Sequence, residues 1–154
     1  MEDRLTTQEV FETLRPEQVH TLSEFSDKLK LAAGDTVYRR GDRAGHFYAV
    51  LEGEVTLRMP GKSGVSIAID QLGKGAMFGS CVSLERDAYA LTAQCTKDTQ
   101  LLRTDAAVLR NLMNQDPMMG YNLQSRISQI YFNRYVETMK KLQAIVMNIP
   151  IEMD

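Results

Sequence analysis

The chain has 154 residues, a formal net charge of -2 and 44% hydrophobic residues, and a quarter of its residues are charged. This length suits one domain with a hydrophobic core and is short for two. The absence of a basic cluster argues against a DNA-binding surface. No apolar run approaches the roughly 18 residues that a membrane-spanning helix needs. Met1 to Thr7 lacks the basic start and apolar block of a secretory signal, so we expect a cytoplasmic protein without a membrane segment.

The first segment predicts two short amphipathic helices. Between Thr7 and about Ser26, apolar residues recur at spacings of three and four, at Val10, Phe11, Leu14, Val19, Leu22 and Phe25. Pro16 divides this segment, because proline suits the first turn of a helix and breaks its interior. We expect the second helix to begin at Arg15 to Glu17.

From Lys28 to Ala93 the apolar residues alternate with polar ones, which is typical of half-buried strands. The alternating positions are Leu29, Leu31, Val37, Phe47, Ala49, Leu51, Val55, Leu57, Val65, Ile67, Ile69, Leu91 and Ala93. Glycine-containing turns separate these runs, and glycine supplies the positive backbone angles that tight turns need. The pattern predicts a mainly β fold with flanking helices, in which the strands form a double-stranded β-helix or jelly-roll barrel.

After Thr104 the helical period returns. Asp105 is suited to N-cap a short helix that ends near Asn114 to Pro117. A long helix then runs from about Met118 to Met147 and is closed by Pro150. We predict a barrel with N-terminal helices at residues 1–117, and a helix with a tail at residues 118–154.

The long helix should reach beyond its own barrel, because about 30 residues at 1.5 Å each span roughly 45 Å. Its apolar stripe is typical of a dimeric coiled-coil seam and consists of Tyr131, Tyr135, Thr138 or Met139, Leu142, Ile145 and Ile149. The stripe could also pack along its own barrel. We predict a homodimer through this helix, and one long helix can serve both purposes.

The sequence shows no catalytic or metal-binding motif. It has no phosphate-binding P-loop, no GxSxG and no HExxH. His20 and His46 are isolated, and Cys81 and Cys95 lack the spacing of a metal or redox pair. We expect a protein that is not an enzyme and holds no metal, with both cysteines as free thiols.

Three segments, in their order and spacing, resemble the cyclic nucleotide-binding domain. They are Ala33-Gly34-Asp35-Thr36-Val37-Tyr38-Arg39-Arg40-Gly41-Asp42, His46-Phe47-Tyr48-Ala49-Val50-Leu51-Glu52-Gly53-Glu54-Val55 and Leu72-Gly73-Lys74-Gly75-Ala76-Met77-Phe78-Gly79. This family includes bacterial regulators of the catabolite activator type, cyclic-nucleotide-dependent kinases and gated channels. The resemblance covers about Val10 to Met147 and implies a barrel that senses a ligand and signals to a partner. In the regulators a helix-turn-helix domain follows the long helix, and this sequence has none, so we expect no direct DNA binding and an unknown protein partner.

The resemblance also shows what is missing from the phosphate-binding loop. In the family the loop reads Phe-Gly-Glu and, after a short helix, Arg-Ser-Ala or Arg-Thr-Ala. The Glu binds the ribose hydroxyl, the Arg pairs with the phosphate and the Ser or Thr adds a hydrogen bond. Here these three positions are Ser80, Tyr89 and Ala90. A hydrogen bond to a charged group contributes about 1.5 to 3 kcal/mol, so the lost arginine should weaken binding at least tenfold. We predict no tight binding of cAMP or cGMP.

Each replacement in the loop has two interpretations. Tyr89 either fills the space of the nucleotide or stacks on a different ligand. Arg86 either replaces the missing cation or remains a solvated surface charge, and Ser80 either caps a helix or meets a ligand hydroxyl. If a ligand binds, we expect an unusual cyclic nucleotide or another small anion, with Tyr131 or Tyr135 closing over it. The predicted contacts are Gly79, Ser80, Cys81, Val82, Arg86, Tyr89 and Ala90. The alternative is a ligand-free dimeric module for protein interaction.

Overall fold

The expected order of helix, strands and helices is present in the computed structural model, which describes residues 10–79 and 88–148. Its elements are α1 (Pro16–Glu24), β1 (Ser26–Leu31), β2 (Thr36–Tyr38), β3 (His46–Glu52), β4 (Val55–Pro60), β5 (Ser66–Leu72), β6 (Met77–Gly79), β7 (Thr92–Cys95), β8 (Thr99–Asp105), α2 (Ala106–Gln115) and α3 (Pro117–Met147). A short 3-10 turn at Lys62–Gly64 joins β4 to β5. The first predicted helix lies partly, and the tail with Ile149 and Pro150 lies wholly, outside the described residues.

The strands form two antiparallel sheets of four strands each. One sheet has the order β1-β8-β3-β6 and the other has the order β2-β7-β4-β5. The side chains buried between the sheets include Tyr38, Tyr48, Val50, Val55, Leu72, Phe78, Tyr89, Ala93, Cys95 and Leu101. This arrangement confirms the predicted jelly roll with flanking helices, although the two sheets do not close into a continuous barrel.

Strand β3 is buried on both of its faces. Tyr48 and Val50 point between the sheets, while Phe47, Ala49 and Leu51 belong to a second core under the helices. Side chains alternate across a strand, so burial of consecutive residues requires cover on both faces. The second core also takes in Val10, Phe11, Val19, Leu22, Met77, Leu102, Leu109, Met119, Leu123, Ile127 and Ile130. The helices therefore pack on the sheet that contains β3.

The helix boundaries follow local signals in the sequence. Helix α1 begins at Pro16, where proline was expected to restart the helix. Asp105 caps α2, because its carboxylate accepts a hydrogen bond of 3.0 Å from the backbone N–H of Val108. Asp116 caps α3 in the same way through the backbone N–H of Met119, at 3.2 Å. Both caps satisfy amide groups that the first turn of a helix leaves unpaired.

Helix α3 has 31 residues and is roughly 46 Å long. Its first half packs on the domain through Met119, Leu123, Ile127 and Ile130. Every residue from Glu137 to Asn148 is exposed. Within the described residues, no helix is long and apolar enough to cross a membrane.

One detail differs from the sequence prediction, and one alternative that the sequence left open is decided. Val65 and Ile67 were predicted to face the core, yet they are 62% and 56% exposed. Among the described residues, strand β5 pairs with β4 alone at the edge of its sheet, and neither the other sheet nor a helix covers its exposed start. Tyr131, the first residue of the predicted stripe, had two interpretations, and it packs against the core of its own domain, as the second of them predicted.

Candidate ligand-binding site

A cavity of about 300 Å³ lies between the barrel and helix α3. The barrel contributes Tyr38, Leu57, Ile69, Asp70, Phe78, Gly79, Tyr89, Ala90 and Leu91, and the helix contributes Tyr131, Arg134, Tyr135 and Thr138. Most of these side chains are apolar or aromatic, and few are charged. Small-molecule sites have this composition, and their volumes start at about 300 Å³.

Stacked aromatic rings form the barrel side of the cavity. The rings of Tyr38 and Tyr89 are nearly parallel, at an angle of 12°, with their centres 3.6 Å apart. A second pair, Tyr48 and Phe78, stacks at 5.1 Å with an angle of 15°, and Phe78 also lines the cavity. Aromatic pairs stabilise a fold by more than their buried area alone. These rings therefore form a firm wall.

Tyr89 is held in place at both its side chain and its backbone. Its hydroxyl donates to the carbonyl oxygen of His46 at 3.2 Å and accepts from the N–H of His46 at 3.1 Å. Its backbone N–H donates to the carbonyl of Asp42, and its carbonyl accepts from the N–H of Gly41, both at 3.0 Å. The residue is only 7% exposed. Tyr89 is thus part of the packed barrel.

The buried tyrosines are neutral at physiological pH. Burial raises the pKa of Tyr48 to about 12. Burial also raises the pKa values of Tyr38 and Tyr89 above that of an ordinary phenol, because it disfavours the charged form. Each hydroxyl can therefore donate or accept a hydrogen bond, but none can supply a charge.

Two charged side chains line the cavity among the described residues. The guanidinium of Arg134 lies 5.7 Å from the centre of the Tyr131 ring, which is a cation–π distance. Asp70 is the acidic one, and its Oδ1 accepts a hydrogen bond of 2.9 Å from the backbone N–H of Gln71. Sequence analysis missed Arg134, although it follows Tyr131 by three residues and so shares a face of the helix with it.

The structure brings together five of the residues that were predicted to contact a ligand. Gly79, Tyr89, Ala90, Tyr131 and Tyr135 all line the same cavity. The other four predicted contacts lie outside the described residues, so their roles stay predictions: they are Ser80, Cys81, Val82 and Arg86.

Gly79 and Cys95 serve the barrel itself. Gly79 has a φ of +101°, and a Cβ there would lie 2.8 Å from the carbonyl oxygen of His46, so no other residue fits. Cys95 is buried between the sheets, away from the cavity lining, and its burial raises the pKa of the thiol. A buried thiol that resists ionisation is a poor nucleophile and a poor redox group.

A second cavity of about 290 Å³ adjoins the first along helix α3 and is more polar. It shares Asp70, Arg134 and Thr138 with the first cavity and adds Gln71, Leu72, Gly73, Ala76, Arg126, Ile130, Asn133, Glu137 and Lys141. Two of its charges are paired, because Arg126 lies 3.0 Å from Glu12 and Glu137 lies 3.2 Å from Lys140. The aromatic cavity is therefore the better candidate for an organic ligand.

The sequence matches the family model of the cyclic nucleotide-binding domain over residues 28–116. One relative, described as a potassium channel protein of Rhodopseudomonas palustris, is 32% identical over 106 residues, which cover 68% of this chain and 24% of that protein. The human patatin-like phospholipase domain-containing protein 6 is 28% identical over 103 residues, which cover 67% of this chain and 8% of that protein. The chain therefore spans a quarter or less of the length of these relatives.

Solved structures share the fold. A cyclic nucleotide-binding domain from Methylobacillus flagellatus superposes with a TM-score of 0.82 at 16% identity, covering 99% of this chain and 86% of that one. The catabolite activator protein of Thermus thermophilus gives a TM-score of 0.71 at 23% identity, covering 88% of this chain and 63% of that one. These identities are low, so the likeness concerns architecture. Because the family model matches more than half of its residues, and its jelly roll is the one seen in these structures, the chain belongs to the cyclic nucleotide-binding domain family.

Proposed function

We propose that the chain is a non-catalytic regulatory module of the cytoplasm whose pocket does not bind cAMP or cGMP tightly. One observation carries this proposal. At the position where the family's loop has its phosphate-binding arginine, the chain has Tyr89, which is buried, stacked on Tyr38 and hydrogen-bonded to the backbone of His46. A neutral phenol in that position gives no counter-charge to a cyclic phosphate.

The expected loss of affinity is large. A hydrogen bond between charged groups contributes about 1.5 to 3 kcal/mol, and an anion that is buried without its partner costs several kcal/mol more. At about 1.4 kcal/mol per tenfold change, the missing arginine alone weakens binding between tenfold and a thousandfold. Ala90 adds to this loss, because its methyl group cannot replace the hydroxyl that the family uses at that position.

Isothermal titration calorimetry of the full chain with cAMP and with cGMP tests the proposal. We expect a dissociation constant weaker than ~100 µM for both nucleotides. The double variant Tyr89→Arg, Ala90→Ser restores two anchors of the family and should bind cAMP at least tenfold more tightly than the unmodified chain. Circular dichroism and thermal melting check that the variant is still folded, because loss of the buried Tyr89 ring destabilises the barrel. Micromolar or tighter binding of either nucleotide by the unmodified chain would contradict the proposal.

The module should act as a homodimer through the second half of helix α3. Its exposed apolar stripe consists of Phe132, Tyr135, Met139, Leu142 and Val146. These residues are spaced alternately by three and four, which is the pattern of a two-stranded coiled coil. An isolated helical segment of about 12 residues is marginal in water. The segment from Glu137 to Asn148 is exposed in the single chain, so a second copy would supply the cover that it lacks.

Helix α3 offers a direct link between ligand and partner. Tyr135 lines the aromatic cavity and also lies on the exposed stripe. A ligand that prefers one position of the helix would therefore bias the geometry of the dimer, and a protein partner could detect the change.

The alternative is a ligand-free interaction module, and the packing of Tyr89 into the barrel is the observation that favours it. The cavity of about 300 Å³ that remains beside Tyr89 favours a ligand-binding module instead. A thermal-shift screen separates the two, because a ligand at about 100 times its Kd stabilises the fold by ~2.7 kcal/mol. A stable dimer that no compound shifts would support the alternative.

A further inference from the structure

We propose that the aromatic cavity binds a small, flat, uncharged aromatic molecule that accepts a hydrogen bond from the hydroxyl of Tyr38. This inference rests on the proposed function, because it requires a pocket that is not committed to a cyclic phosphate. It uses only described residues of the barrel and of helix α3.

The hydroxyl of Tyr38 has no hydrogen-bond partner among the described residues. Its stacking neighbour Tyr89 differs, because the hydroxyl of Tyr89 bonds twice to the backbone of His46. Tyr38 is only 9% exposed, and a tyrosine that is buried to this extent usually has a partner for its hydroxyl. A ligand in the cavity would supply the partner that the described residues do not.

The hydroxyl of Tyr38 faces the cavity that this residue lines. Its oxygen is not sealed inside the protein, in contrast to the unpaired Oγ1 of Thr56. Burial raises the pKa of Tyr38, Tyr131 raises it further and Arg134 lowers it. Tyr131 and Arg134 both belong to the wall that helix α3 contributes, so their electrostatic effect crosses the cavity. The polar end of Tyr38 is therefore directed towards helix α3 and is available to an occupant.

The walls of the cavity favour an aromatic and uncharged molecule. An aromatic ring that packs on other rings gains more than its apolar area alone provides. Burial of an ion among apolar groups is costly unless the ion is paired. The two charged side chains that line the cavity among the described residues, Asp70 and Arg134, have opposite signs and select neither an anion nor a cation. The apolar and aromatic lining beside Tyr38 includes Leu57, Ile69, Phe78, Leu91 and Tyr131.

The neutral phenol of Tyr38 sets the polar group of the ligand. A phenolic O–H is more acidic than an aliphatic hydroxyl and is therefore a good donor, so the ligand should carry an acceptor such as a carbonyl oxygen or a ring nitrogen. At about 300 Å³ the cavity is at the lower end of the range of small-molecule sites, which suits one or two rings. Acetophenone and quinoline have these properties and serve as probes.

Titration of the full, ¹⁵N-labelled chain with acetophenone and with quinoline, followed by NMR, tests the proposal. We expect at least one probe to bind with a dissociation constant below ~1 mM and to shift the amide signals of Gly79 and Ala90, which line the cavity. Benzoate and N-methylquinolinium are charged counterparts of the two probes and should bind at least tenfold more weakly. Cyclohexyl methyl ketone lacks the aromatic ring of acetophenone and should bind at least threefold more weakly.

Tyr38→Phe isolates the hydroxyl, because it keeps the ring that stacks on Tyr89. In this variant the probe that binds should lose about fivefold to tenfold in affinity, since one hydrogen bond is lost. Ethylbenzene and naphthalene keep the rings of the probes without the acceptor, and their affinities should change by less than about twofold. Tyr121→Phe makes the same change at a residue that is 70% exposed and does not line the cavity, and it should leave every affinity unchanged. The urea midpoint of Tyr38→Phe should stay within about 0.25 M of that of the unmodified chain, because the fold does not use this hydroxyl.

Several results would overturn the proposal. Absence of binding by both probes would do so, as would equal binding of a probe and its charged counterpart. If Tyr38→Phe weakens a probe and its acceptor-free analogue equally, the hydroxyl is not the contact. A fall of the urea midpoint by more than about 0.5 M in Tyr38→Phe would show that the fold itself uses the hydroxyl. These failures are separate from that of the proposed function, which depends only on the titrations with cAMP and cGMP.

Discussion

Replacement of Tyr89 tests whether this side chain is part of the packed barrel or a movable gate. Tyr89→Ala removes a ring that is 7% exposed and stacked at 3.6 Å on Tyr38. Truncation of a buried aromatic residue to alanine costs about 3 to 5 kcal/mol, because apolar area is lost and a cavity remains. Tyr89→Phe keeps the ring and removes only the hydroxyl, which bonds the N–H and the carbonyl of His46. Loss of these two hydrogen bonds should cost about 1 to 3 kcal/mol.

Urea denaturation followed by circular dichroism measures both changes. With a slope of about 2 kcal/mol per M, a loss of about 4 kcal/mol lowers the midpoint by about 2 M, and a loss of about 2 kcal/mol lowers it by about 1 M. The protein concentration is held constant, because dimerisation would contribute to stability. Tyr121→Ala is the matched control, since Tyr121 is 70% exposed and its loss should stay within about 0.5 kcal/mol.

One outcome would refute this reasoning. If Tyr89→Ala lowers the free energy of unfolding by less than about 1 kcal/mol, the ring is not an integral part of the barrel. Tyr89 could then move aside at little cost, and the argument that it blocks the phosphate position would fail.

Three more predictions concern other parts of the chain. Leu142→Glu places a charge on the exposed apolar stripe of helix α3 and should convert the dimer to a monomer in size-exclusion chromatography with light scattering. Ala144→Glu, which lies off the stripe, should leave the dimer intact. A dimer that persists in Leu142→Glu would exclude this stripe as the dimer interface. The side-chain amide of Gln18 and the backbone N–H of Met119 lower the pKa of Asp116. The stabilising effect of its carboxylate is therefore present above the unfolded pKa of about 3.9 and is lost as pH falls through the folded pKa. Asp116→Asn should flatten the fall in the free energy of unfolding below about pH 4 in an acid titration, and an unchanged slope would refute this. Gly79→Ala should lower the free energy of unfolding in urea by about 1 to 3 kcal/mol, because its φ is +101° and a Cβ would clash with the carbonyl oxygen of His46. An unchanged denaturation midpoint would contradict the prediction that alanine is strained at this position.

Local features could be predicted because their causes lie within a few residues. Pro16 begins α1 because proline suits a first turn, and Asp105 caps α2 because its carboxylate reaches an amide three residues ahead. The replacement of the family's phosphate-binding arginine by Tyr89 was predicted for the same reason, since it depends only on position within the loop, and it stays a prediction. The alternation of apolar residues predicted strands, but it did not show which faces would be covered. Val65 and Ile67 therefore follow the pattern and remain exposed.

The dimer stripe and the cavity depend on how the elements pack. Adjacent residues on a helix point about 100° apart, so the rotation of α3 about its own axis decides whether Tyr131 or Phe132 faces solvent. The packing of α3 on the domain turns Tyr131 inward and leaves Phe132 on the exposed stripe. The same packing carries Arg134 to the cavity opposite Tyr38, a residue nearly one hundred positions earlier. The sequence by itself determined the family and the jelly roll, because these depend on the local order and spacing of residues. The loss of the phosphate anchors was inferred from the same spacing and stays a prediction. Only the tertiary structure decided that an aromatic cavity lined by Arg134 lies beside Tyr89, because that site is assembled from strands and a helix distant along the chain.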